Sequence, residues 1–262
     1  MKFTVLTLFP EIPRSFFENS IMAKAVEKGI IAYELVNIRD FALDKHKTCD
    51  DNPYGGGAGM LMKTEPLCGA LESVGVKPKK IAKKGSKKAK KVNIHKRVIY
   101  VSPSGKPLTQ NLAKDLSKEE ELVFICGRYE GIDQRIIETY VDDEISIGDY
   151  VLSSGELAAT VIIDSVYRLV DGVISSESLE EESFTDGLLE YPQYTRPEVF
   201  RGMTVPQVLL SGHHENIRLW RLKKRLEKTL RNRPELIAKA RNEGKLTAEE
   251  ENMIEEITNS GD

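Results

Sequence analysis

Residues 121–156 decide the fold, and they read ELVFICGRYEGIDQRIIETYVDDEISIGDYVLSSGE. A β-rich run at 122–126 leads through a glycine-bounded turn to a helical pattern at 133–139, a second strand pattern at 144–147 and another glycine-rich turn. Strands that alternate with short helices are typical of βαβ units. The stretch therefore predicts an α/β fold with a mostly parallel sheet that is covered on both faces.

The same alternation runs through the first two thirds of the chain. It predicts further strands at 3–9, 30–38 and 98–101, and helices at 15–28, 66–74, 109–116 and 155–170. Glycine and proline cluster where strands end, at 54–59, 102–105, 127–131 and 148–155. In open α/β sheets ligands bind beyond the carboxyl ends of the strands, so these turns predict a binding site.

The composition changes after Gly172. Serine and glutamate dominate residues 175–183, and helical patterns then follow at 205–210, 216–230, 234–242 and 247–258. Thr247 with Glu250 fits a capping box, and Pro234 fits the first turn of a helix. We predict a first domain at 1–172, a linker at 173–185 and a smaller helical domain at 186–262.

Composition excludes several classes of protein. With 262 residues, 40% hydrophobic and 30% charged, the chain is typical of a globular protein that needs no disulfide to fold. Its cysteines, Cys49, Cys68 and Cys126, form no paired framework. The first ten residues contain too short an apolar run for a signal peptide or a membrane span. We expect a cytoplasmic protein.

Charge is segregated along the chain, although the net charge is only −3. Residues 77–97 contain eleven Lys or Arg and no acid, and residues 216–233 contain eight with the single acid Glu227. Each run is either a solvated face or a surface that binds nucleic acid. Gly105-Lys106 is not part of a phosphate-binding loop, because the other residues of that motif are absent. The glycines at 55–59 do not complete the G-x-G-x-x-G dinucleotide motif. The histidines and cysteines do not occur at zinc-ligand spacing.

Several longer motifs, in this order, make the sequence recognisable. DNPYGGGAGM at 51–60, CGRYEGID at 126–133, SIGDYVL at 146–152, YTRP at 194–197 and LSGHH at 210–214 closely resemble the bacterial tRNA (guanine-N1)-methyltransferase family. The resemblance runs from about residue 3 to about residue 236. It implies a SPOUT methyltransferase fold with a deep trefoil knot between about 100 and 155, a smaller, mainly helical C-terminal domain, and a homodimer.

The resemblance also implies a reaction and its methyl donor. By resemblance, a methyl group is transferred from S-adenosylmethionine to N1 of guanosine 37, immediately 3′ of the anticodon in tRNA. The family suggests that Mg²⁺ participates, and the sequence, which shows no dedicated metal cluster, leaves this open. This chain departs from the family pattern at Ser154, usually glycine, and at Ala158, usually proline. A serine fits at 154 only if its φ is negative or its side chain faces open space. The implied donor pocket consists of Tyr100, Ser102, Pro103, Gly127, Tyr129, Glu130, Gly131, Ile147, Gly148, Asp149, Tyr150, Val151, Leu152 and Gly155.

Methylation at N1 of guanine requires that its proton be removed, which a carboxylate can do while a cation stabilises the charge on O6. By resemblance, Arg168 is the assisting cation. The family's catalytic aspartate corresponds to Glu182, in a linker about one residue shorter than usual. Asp186 is the second candidate for the base.

Transfer RNA must be held outside the reaction pocket. Arginines and lysines recur at helical spacing between 216 and 233, and the glycine loop at 51–59 is expected to approach the target base. Residues 77–97 are interpreted as an enlarged flexible insertion. A catalytically inactive RNA-binding module on the same scaffold is the alternative function. The residues predicted to contact tRNA are Asp51, Gly56, Gly57, Gly59, Ser183, Arg218, Arg221 and Arg225.

Overall fold

The structure is a computed structural model, and it describes residues 1–79, 96–175 and 182–259. The chain divides into two compact units, Met1–Ile174 and Ser175–Asp262. This division falls inside the predicted linker at 173–185. Most of the predicted insertion at 77–97, and residues 176–181 of the predicted linker, lie outside the described residues.

A five-stranded sheet forms the centre of the first unit, and all of its strand pairs are parallel. The strand order is β2-β1-β6-β5-β7. The central strand β6 is buried along its whole length, because helices cover both faces of the sheet. The α/β class predicted from the sequence is confirmed. The strands are β1 (Lys2–Thr7), β2 (Ala32–Asn37), β5 (Lys96–Pro107), β6 (Glu121–Cys126) and β7 (Asp143–Ser146), and a separate two-stranded ribbon consists of β3 (Asp50–Asp51) and β4 (Leu61–Met62).

Strand β5 is longer than predicted. The sequence SPSGKP at 102–107 indicates a turn, yet Lys106 and Pro107 pair with Ile145 and Ser146 of β7 after an irregularity that follows Val101. Ile145 thus pairs with both Val101 and Lys106. Lys96 and Arg97, predicted to lie in the insertion, belong to the start of this strand.

Helices cover the sheet, and most lie within a few residues of their predicted positions. The single helix predicted at 15–28 is wrong, because two helices occupy this region. The Asn19 side-chain amide donates to the Ser15 carbonyl at 2.6 Å, which satisfies one open carbonyl at the end of the first helix. Ser20 has a φ of +58°, which is not a right-handed helical conformation, so the chain breaks between the two helices. The helices of the first unit are α1 (Glu11–Phe17), α2 (Ser20–Glu27), a 3₁₀ helix (Ile38–Phe41), α3 (Thr64–Ser73), α4 (Gln110–Leu116), α5 (Gln134–Tyr140) and α6 (Gly155–Tyr167).

The core of the first unit lies on both faces of the sheet. On one face Phe3, Phe17 and Phe124 pack with the apolar side of α6. On the other face Leu67, Leu71 and other residues of α3 pack with strand residues and with α5. Burial on both faces leaves the carboxyl ends of the strands as the place where polar loops gather.

The second unit is mainly helical. Pro234 opens its helix at the first turn, and Thr247 and Glu250 exchange the two hydrogen bonds of a capping box, so both predictions are confirmed. Leu188, Leu226, Ile237 and other apolar side chains form its core. Its elements are β8 (Val199–Phe200), β9 (Met203–Thr204), α7 (Gln207–Leu210), α8 (His214–Asn232), α9 (Pro234–Asn242) and α10 (Ala248–Asn259).

Among the described residues, no helix is both long enough and apolar enough to cross a membrane. The three cysteines are free thiols.

Candidate active site

A cleft of about 380 Å³ opens where the loops after β5, β6 and β7 meet the start of α6. This volume is within the range of small-molecule sites. The structure brings thirteen of the fourteen residues of the implied donor pocket into the lining; Asp149 is the exception. The lining also contains residues that were not predicted: Val101, Ser104, Arg128, Ile145, Ser146, Ser153, Ser154 and Ala158.

Glycine is required where the chain segments around the cleft touch. A Cβ atom at Gly155 would lie 2.8 Å from the Gly127 nitrogen and 2.9 Å from the Cys126 Cα. The Gly155 N–H donates to the Gly127 carbonyl at 2.9 Å, which joins the start of α6 to the loop after β6. Backbone atoms therefore form this wall of the cleft, and a ligand can approach the main chain closely.

Two tyrosines extend into the open part of the cleft. Tyr129 has a φ of +57° in the turn closed by the Gly131 N–H and the Arg128 carbonyl, and its side chain is half exposed. Tyr150 is also half exposed, above Gly148. Exposed aromatic rings beside backbone donors and acceptors suit a planar base.

A chain of hydroxyl groups fixes the polarity of one side of the cleft. Ser104 donates to a Glu144 carboxylate oxygen at 2.8 Å, so its single proton is used, and Ser102 must be the donor in the 2.7 Å contact between the two hydroxyls. The Ser102 oxygen also receives the Ser104 N–H at 3.1 Å. Toward a ligand, Ser102 is therefore an acceptor.

The neighbouring Tyr100 phenol stays neutral. Burial raises the pKa of Tyr100, and the negative charge of Glu144 adds to the rise. Its hydroxyl lies against Gly127 and Gly131, where a Cβ atom would approach it to about 3 Å. Tyr100 thus presents an uncharged hydroxyl beside the two glycine turns.

A buried acid that the sequence analysis missed lies beneath the cleft. Glu156 is fully buried in the first turn of α6 and accepts the Thr7 hydroxyl at 2.5 Å. Its second carboxylate oxygen lies 3.4 Å from the Arg128 Nε. One signal could have revealed it, since Glu156 is the only charged residue between Gly155 and Ile163 in an otherwise apolar helix start.

Cys126 contacts this group but is no nucleophile. Burial raises the pKa of the Cys126 thiol well above its usual value, the charge of Glu156 raises it further, and Arg128 opposes the rise. The thiol is therefore protonated at neutral pH. The chemistry of the cleft must come from other groups.

The glycine loop, residues 52–60 between β3 and β4, is joined to the cleft. The Glu130 N–H donates to the Met60 carbonyl at 3.0 Å, and the Met62 N–H donates to the Gly131 carbonyl at 3.0 Å. A Cβ atom at Gly59 would overlap the Glu130 side chain. Gly56 and Gly57 have positive φ values and open space around them, and Asp51 lies 3.9 Å from Lys63.

The residues implied to catalyse proton removal lie at the end of the first unit and at the start of the second. Arg168 caps the C-terminus of α6, and Glu182 is the first residue described after the gap at 176–181. Ser183 accepts the Glu190 N–H at 3.0 Å. Asp186 is engaged by Arg225, whose Nη2 lies 2.6 Å from both carboxylate oxygens, and by the Leu188 N–H.

Helix α8 carries the predicted basic stripe, but two of its arginines are held by acids. Arg218 forms ion pairs with Glu215 and Glu249, at 2.8 and 2.7 Å. Arg225 pairs with Asp186 and also donates to the Leu189 carbonyl. The Arg221 guanidinium lies 4.7 Å from the centre of the Tyr191 ring. Leu226 is buried, as predicted, and Trp220 packs near Tyr194.

Within residues 1–79, 96–175 and 182–259, no group of three or more His, Cys, Asp or Glu side chains could hold a metal ion.

Comparison with known proteins identifies the family. The model of the tRNA (guanine-1)-methyltransferase TrmD family matches residues 1–239. The chain belongs to this family. A tRNA (guanine-N(1)-)-methyltransferase of Treponema denticola is 67% identical over 259 residues, covering 99% of this chain and all of the relative. Those of Treponema pallidum and Borreliella burgdorferi are 59% and 62% identical, covering 98% and 91% of this chain and 96% and 94% of their own lengths.

Ser154 departs from the TrmD family pattern without strain. Its φ of −165° and ψ of 154° are those of extended backbone, which any residue adopts. It precedes α6 and is buried in the wall of the cleft. Of the two conditions under which a serine fits at this position, the negative φ is met. Ala158 lines the cleft one turn further along α6.

Proposed function

We propose that this protein transfers a methyl group from S-adenosylmethionine to N1 of guanosine 37 in tRNA. Membership of the TrmD family supports the reaction, because its relatives at 59–67% identity are named for methylation of guanine N1 in tRNA. One observation carries the proposal for the site: the family's pocket residues, scattered between Tyr100 and Gly155, converge on a single cleft of suitable volume.

The cleft fits a methyl donor built on a nucleoside. Backbone groups of the glycine turns at 127–131 and 148–155 face the lining, where a Cβ at Gly127 or Gly155 would reduce the space. Ser102, an acceptor, suits an amine or hydroxyl of the nucleoside. No phosphate loop is needed, because the donor has no polyphosphate. When bound, S-adenosylmethionine supplies a methyl group activated by a positively charged sulfur.

Proton removal from guanine N1 is assigned to Glu182, with Arg168 stabilising the negative charge that develops on O6. Asp186 is the less suitable base, because Arg225 and the Leu188 N–H already occupy its carboxylate oxygens. Glutamate has the same acid–base chemistry as aspartate on a side chain one methylene longer. The shorter linker that precedes Glu182 is consistent with this greater reach.

We expect Glu182→Gln to abolish most methyl transfer and to leave donor affinity nearly unchanged. The amide keeps the shape of the side chain but cannot accept the proton, so the single-turnover rate should fall by at least about a hundredfold. The assay uses labelled S-adenosylmethionine and tRNA with guanosine at position 37, with N1-methylguanosine identified in the RNA.

Asp186→Asn is the matched control, and it should retain most of the single-turnover rate. An undiminished rate in Glu182→Gln, together with a loss in Asp186→Asn, would transfer the role of base to Asp186. If the parent protein binds tRNA and S-adenosylhomocysteine but leaves no label in RNA, the protein is an inactive RNA-binding module and the proposed reaction is wrong.

Transfer RNA is held by the glycine loop near the target base and by α8 along the backbone. The glycine loop suits a flipped base, since Gly56 and Gly57 leave open backbone beside the turn at 127–131. On α8, phosphates would have to displace Glu215 and Glu249 from Arg218, and Asp186 from Arg225. Arg221, Lys223, Lys224, Lys228 and Arg231 supply further positive charge on the same helix.

The fold and assembly implied by the family complete the proposal. A trefoil knot between about 100 and 155 accords with the close passage of Gly155 beside Gly127 and of Gly105 beside Ile145, each too tight for a Cβ atom. The protein is proposed to act as a homodimer in the cytoplasm. We assign no metal ligands and no required Mg²⁺.

A further inference from the structure

Two arginines converge on one aromatic ring at the sheet edge beside the cleft. The Arg128 guanidinium lies 4.3 Å from the centre of the Phe9 ring, and that of Arg39 lies 5.9 Å from it. The two cations are therefore no more than about 10 Å apart, about one Debye length at physiological ionic strength. We call Phe9, Arg39 and Arg128 the arginine cluster.

The order of the strands explains why these residues meet. Phe9 follows β1, Arg39 follows β2 and Arg128 follows β6, and these three strands are neighbours in the sheet. Their carboxyl ends lie at one edge. The donor cleft occupies the loops after β6, β5 and β7 at the same edge, and Arg128 belongs to both groups. The arginine cluster thus extends the cleft along the sheet edge.

A buried framework holds this cluster in place. The Thr7 hydroxyl accepts the Phe9 N–H at 2.9 Å and donates to Glu156 at 2.5 Å, and Glu156 lies 3.4 Å from the Arg128 Nε. One fully buried carboxylate therefore positions both the ring and one guanidinium. The Asn37 side chain accepts the backbone N–H of Arg39 at 3.0 Å, which fixes the backbone position of the second arginine.

Positive charge in the cluster exceeds negative charge. Glu156 is the one carboxylate at ion-pair distance from Arg128 in the described part of the chain, and within those residues none lies at that distance from Arg39. Burying a carboxylate and a guanidinium is costly, and such pairs are retained where they fix a geometry. Two guanidiniums at one ring, with one partly matched acid, leave a net charge that an anion would neutralise.

The position of the cluster indicates which anion it binds. Residues 130–132 join the cleft to the glycine loop and β4. Burial raises the pKa of Cys49, just before β3; the charge of Arg39 opposes this rise, and those of Asp50 and Asp44 add to it. Arg39 therefore lies within electrostatic reach of the same segment. The cluster is therefore flanked by the donor cleft and by the loop proposed to receive the target base.

We propose that Arg39 and Arg128 bind a phosphate of the tRNA strand next to the target guanosine. The inference rests on the proposed function, and it adds a phosphate site in the first unit to the basic helix of the second. Phe9 contributes a flat aromatic face to both guanidiniums, and the planar fork of a guanidinium matches the oxygens of a phosphate. The site orients the strand, while the cleft and glycine loop provide the chemistry.

Arg39→Gln tests the proposal, because Arg39 does not line the donor cleft. In the full-length protein with S-adenosylhomocysteine bound, its tRNA dissociation constant should rise roughly tenfold. The slope of log affinity against log salt concentration should become shallower by about 0.7, the value for one phosphate contact on a single strand. Arg39→Lys, which keeps the charge, should restore most of the slope.

Lys47→Gln is the matched control. Lys47 pairs at 3.0 Å with Asp40, which lies in the 3₁₀ helix that also contains Arg39. Lys47→Gln therefore changes the net charge by the same amount as Arg39→Gln. It should leave the salt slope unchanged. An unaltered tRNA affinity and slope in Arg39→Gln would overturn the proposal, as would an equal effect of Lys47→Gln.

A second measurement separates RNA phosphate from the carboxylate of the methyl donor. S-adenosylhomocysteine carries that carboxylate, whereas methylthioadenosine lacks the whole amino-acid tail. If Arg39→Gln weakens the binding of S-adenosylhomocysteine but changes the binding of neither methylthioadenosine nor tRNA, the bound anion is the donor carboxylate. The RNA proposal is then wrong. None of these binding assays requires methyl transfer, so a parent protein that binds tRNA without methylating it would refute the proposed function alone.

Discussion

At the scale of single residues, Gly155 packs directly against backbone atoms in the wall of the cleft. A Cβ atom there would meet the backbone of Cys126 and Gly127 and the side chain of Val101, all within 3 Å. Backbone atoms at the end of a buried strand cannot move aside cheaply. We expect Gly155→Ala to lower the free energy of unfolding by about 2 kcal/mol and to weaken S-adenosylhomocysteine binding. Chemical denaturation and titration calorimetry measure the two effects.

Gly69→Ala provides a comparison in another helix. Its Cβ would have the Phe41 side chain as its nearest neighbour, at 3.0 Å, a looser contact than the backbone contacts at Gly155, and alanine favours the helix. Its stability should change by less than about 1 kcal/mol, with donor binding intact. Equal stability and equal affinity in Gly155→Ala and the parent would show that the cleft wall tolerates a side chain.

Residues of the candidate site differ in how well the sequence predicts them. Turn residues such as Gly127, Gly131 and Gly148 follow strand patterns directly, so their convergence could be predicted from a parallel sheet. Arg128, Phe9 and Glu156 could not be grouped in this way, because they come from distant segments. Their contact depends on the strand order, and hydrophobic periodicity does not determine that order.

At the scale of elements, one carboxylate joins three strands at the amino edge of the sheet. Glu121 of β6 accepts the Thr4 hydroxyl of β1 at 2.8 Å and pairs with Lys96 of β5 at 3.0 Å. Burial acts to raise the pKa of Glu121, but Thr4, Lys96 and Lys2 outweigh it and the pKa is lowered. The contribution of Glu121 to the free energy of unfolding is therefore present above the carboxyl pKa of the unfolded chain and is lost as the pH falls.

We expect Glu121→Gln to lower the free energy of unfolding by about 1–2 kcal/mol at neutral pH. The difference in the free energy of unfolding between Glu121→Gln and the parent should shrink as the pH falls through the pKa range of a glutamate carboxyl, about 4. Denaturant titrations from acid to neutral pH measure it. Glu34→Gln is the control, since Glu34 is partly exposed and, among the described residues, pairs only with Lys2. A difference that is constant with pH would refute the electrostatic explanation.

Elements were predicted more reliably at their centres than at their ends. Apolar runs such as 122–126 fix a strand because burial on both faces requires them. The extension of β5 was missed, since serine, proline and glycine favour turns. Residues 102–105 form the irregularity, and the strand resumes where Lys106 and Pro107 pair with Ile145 and Ser146. The break between α1 and α2 was missed for a similar reason: a positive φ at Ser20 has no signal in its side chain.

At the scale of the whole molecule, the proposed assembly makes a separate prediction. If the protein is a homodimer, light scattering should give twice the 29.5 kDa mass of one chain. If each active site also draws on both subunits, mixing Glu182→Gln with Gly155→Ala should give a higher rate of methyl transfer than either variant gives alone. A monomeric mass with full activity would contradict the assembly, while leaving the chemistry of the cleft untouched.

The strand order also has a consequence for synthesis on the ribosome. Strand β1 can pair with β2 soon after both emerge, but its other neighbour, β6, follows roughly 120 residues later, about ten seconds at ordinary elongation rates. Throughout that interval the backbone hydrogen-bonding groups on one side of β1, which carries Phe3, Val5 and Leu6, have no strand partner. The edge of β1 therefore stays open to non-native pairing until Glu121–Cys126 is synthesised and pairs with it.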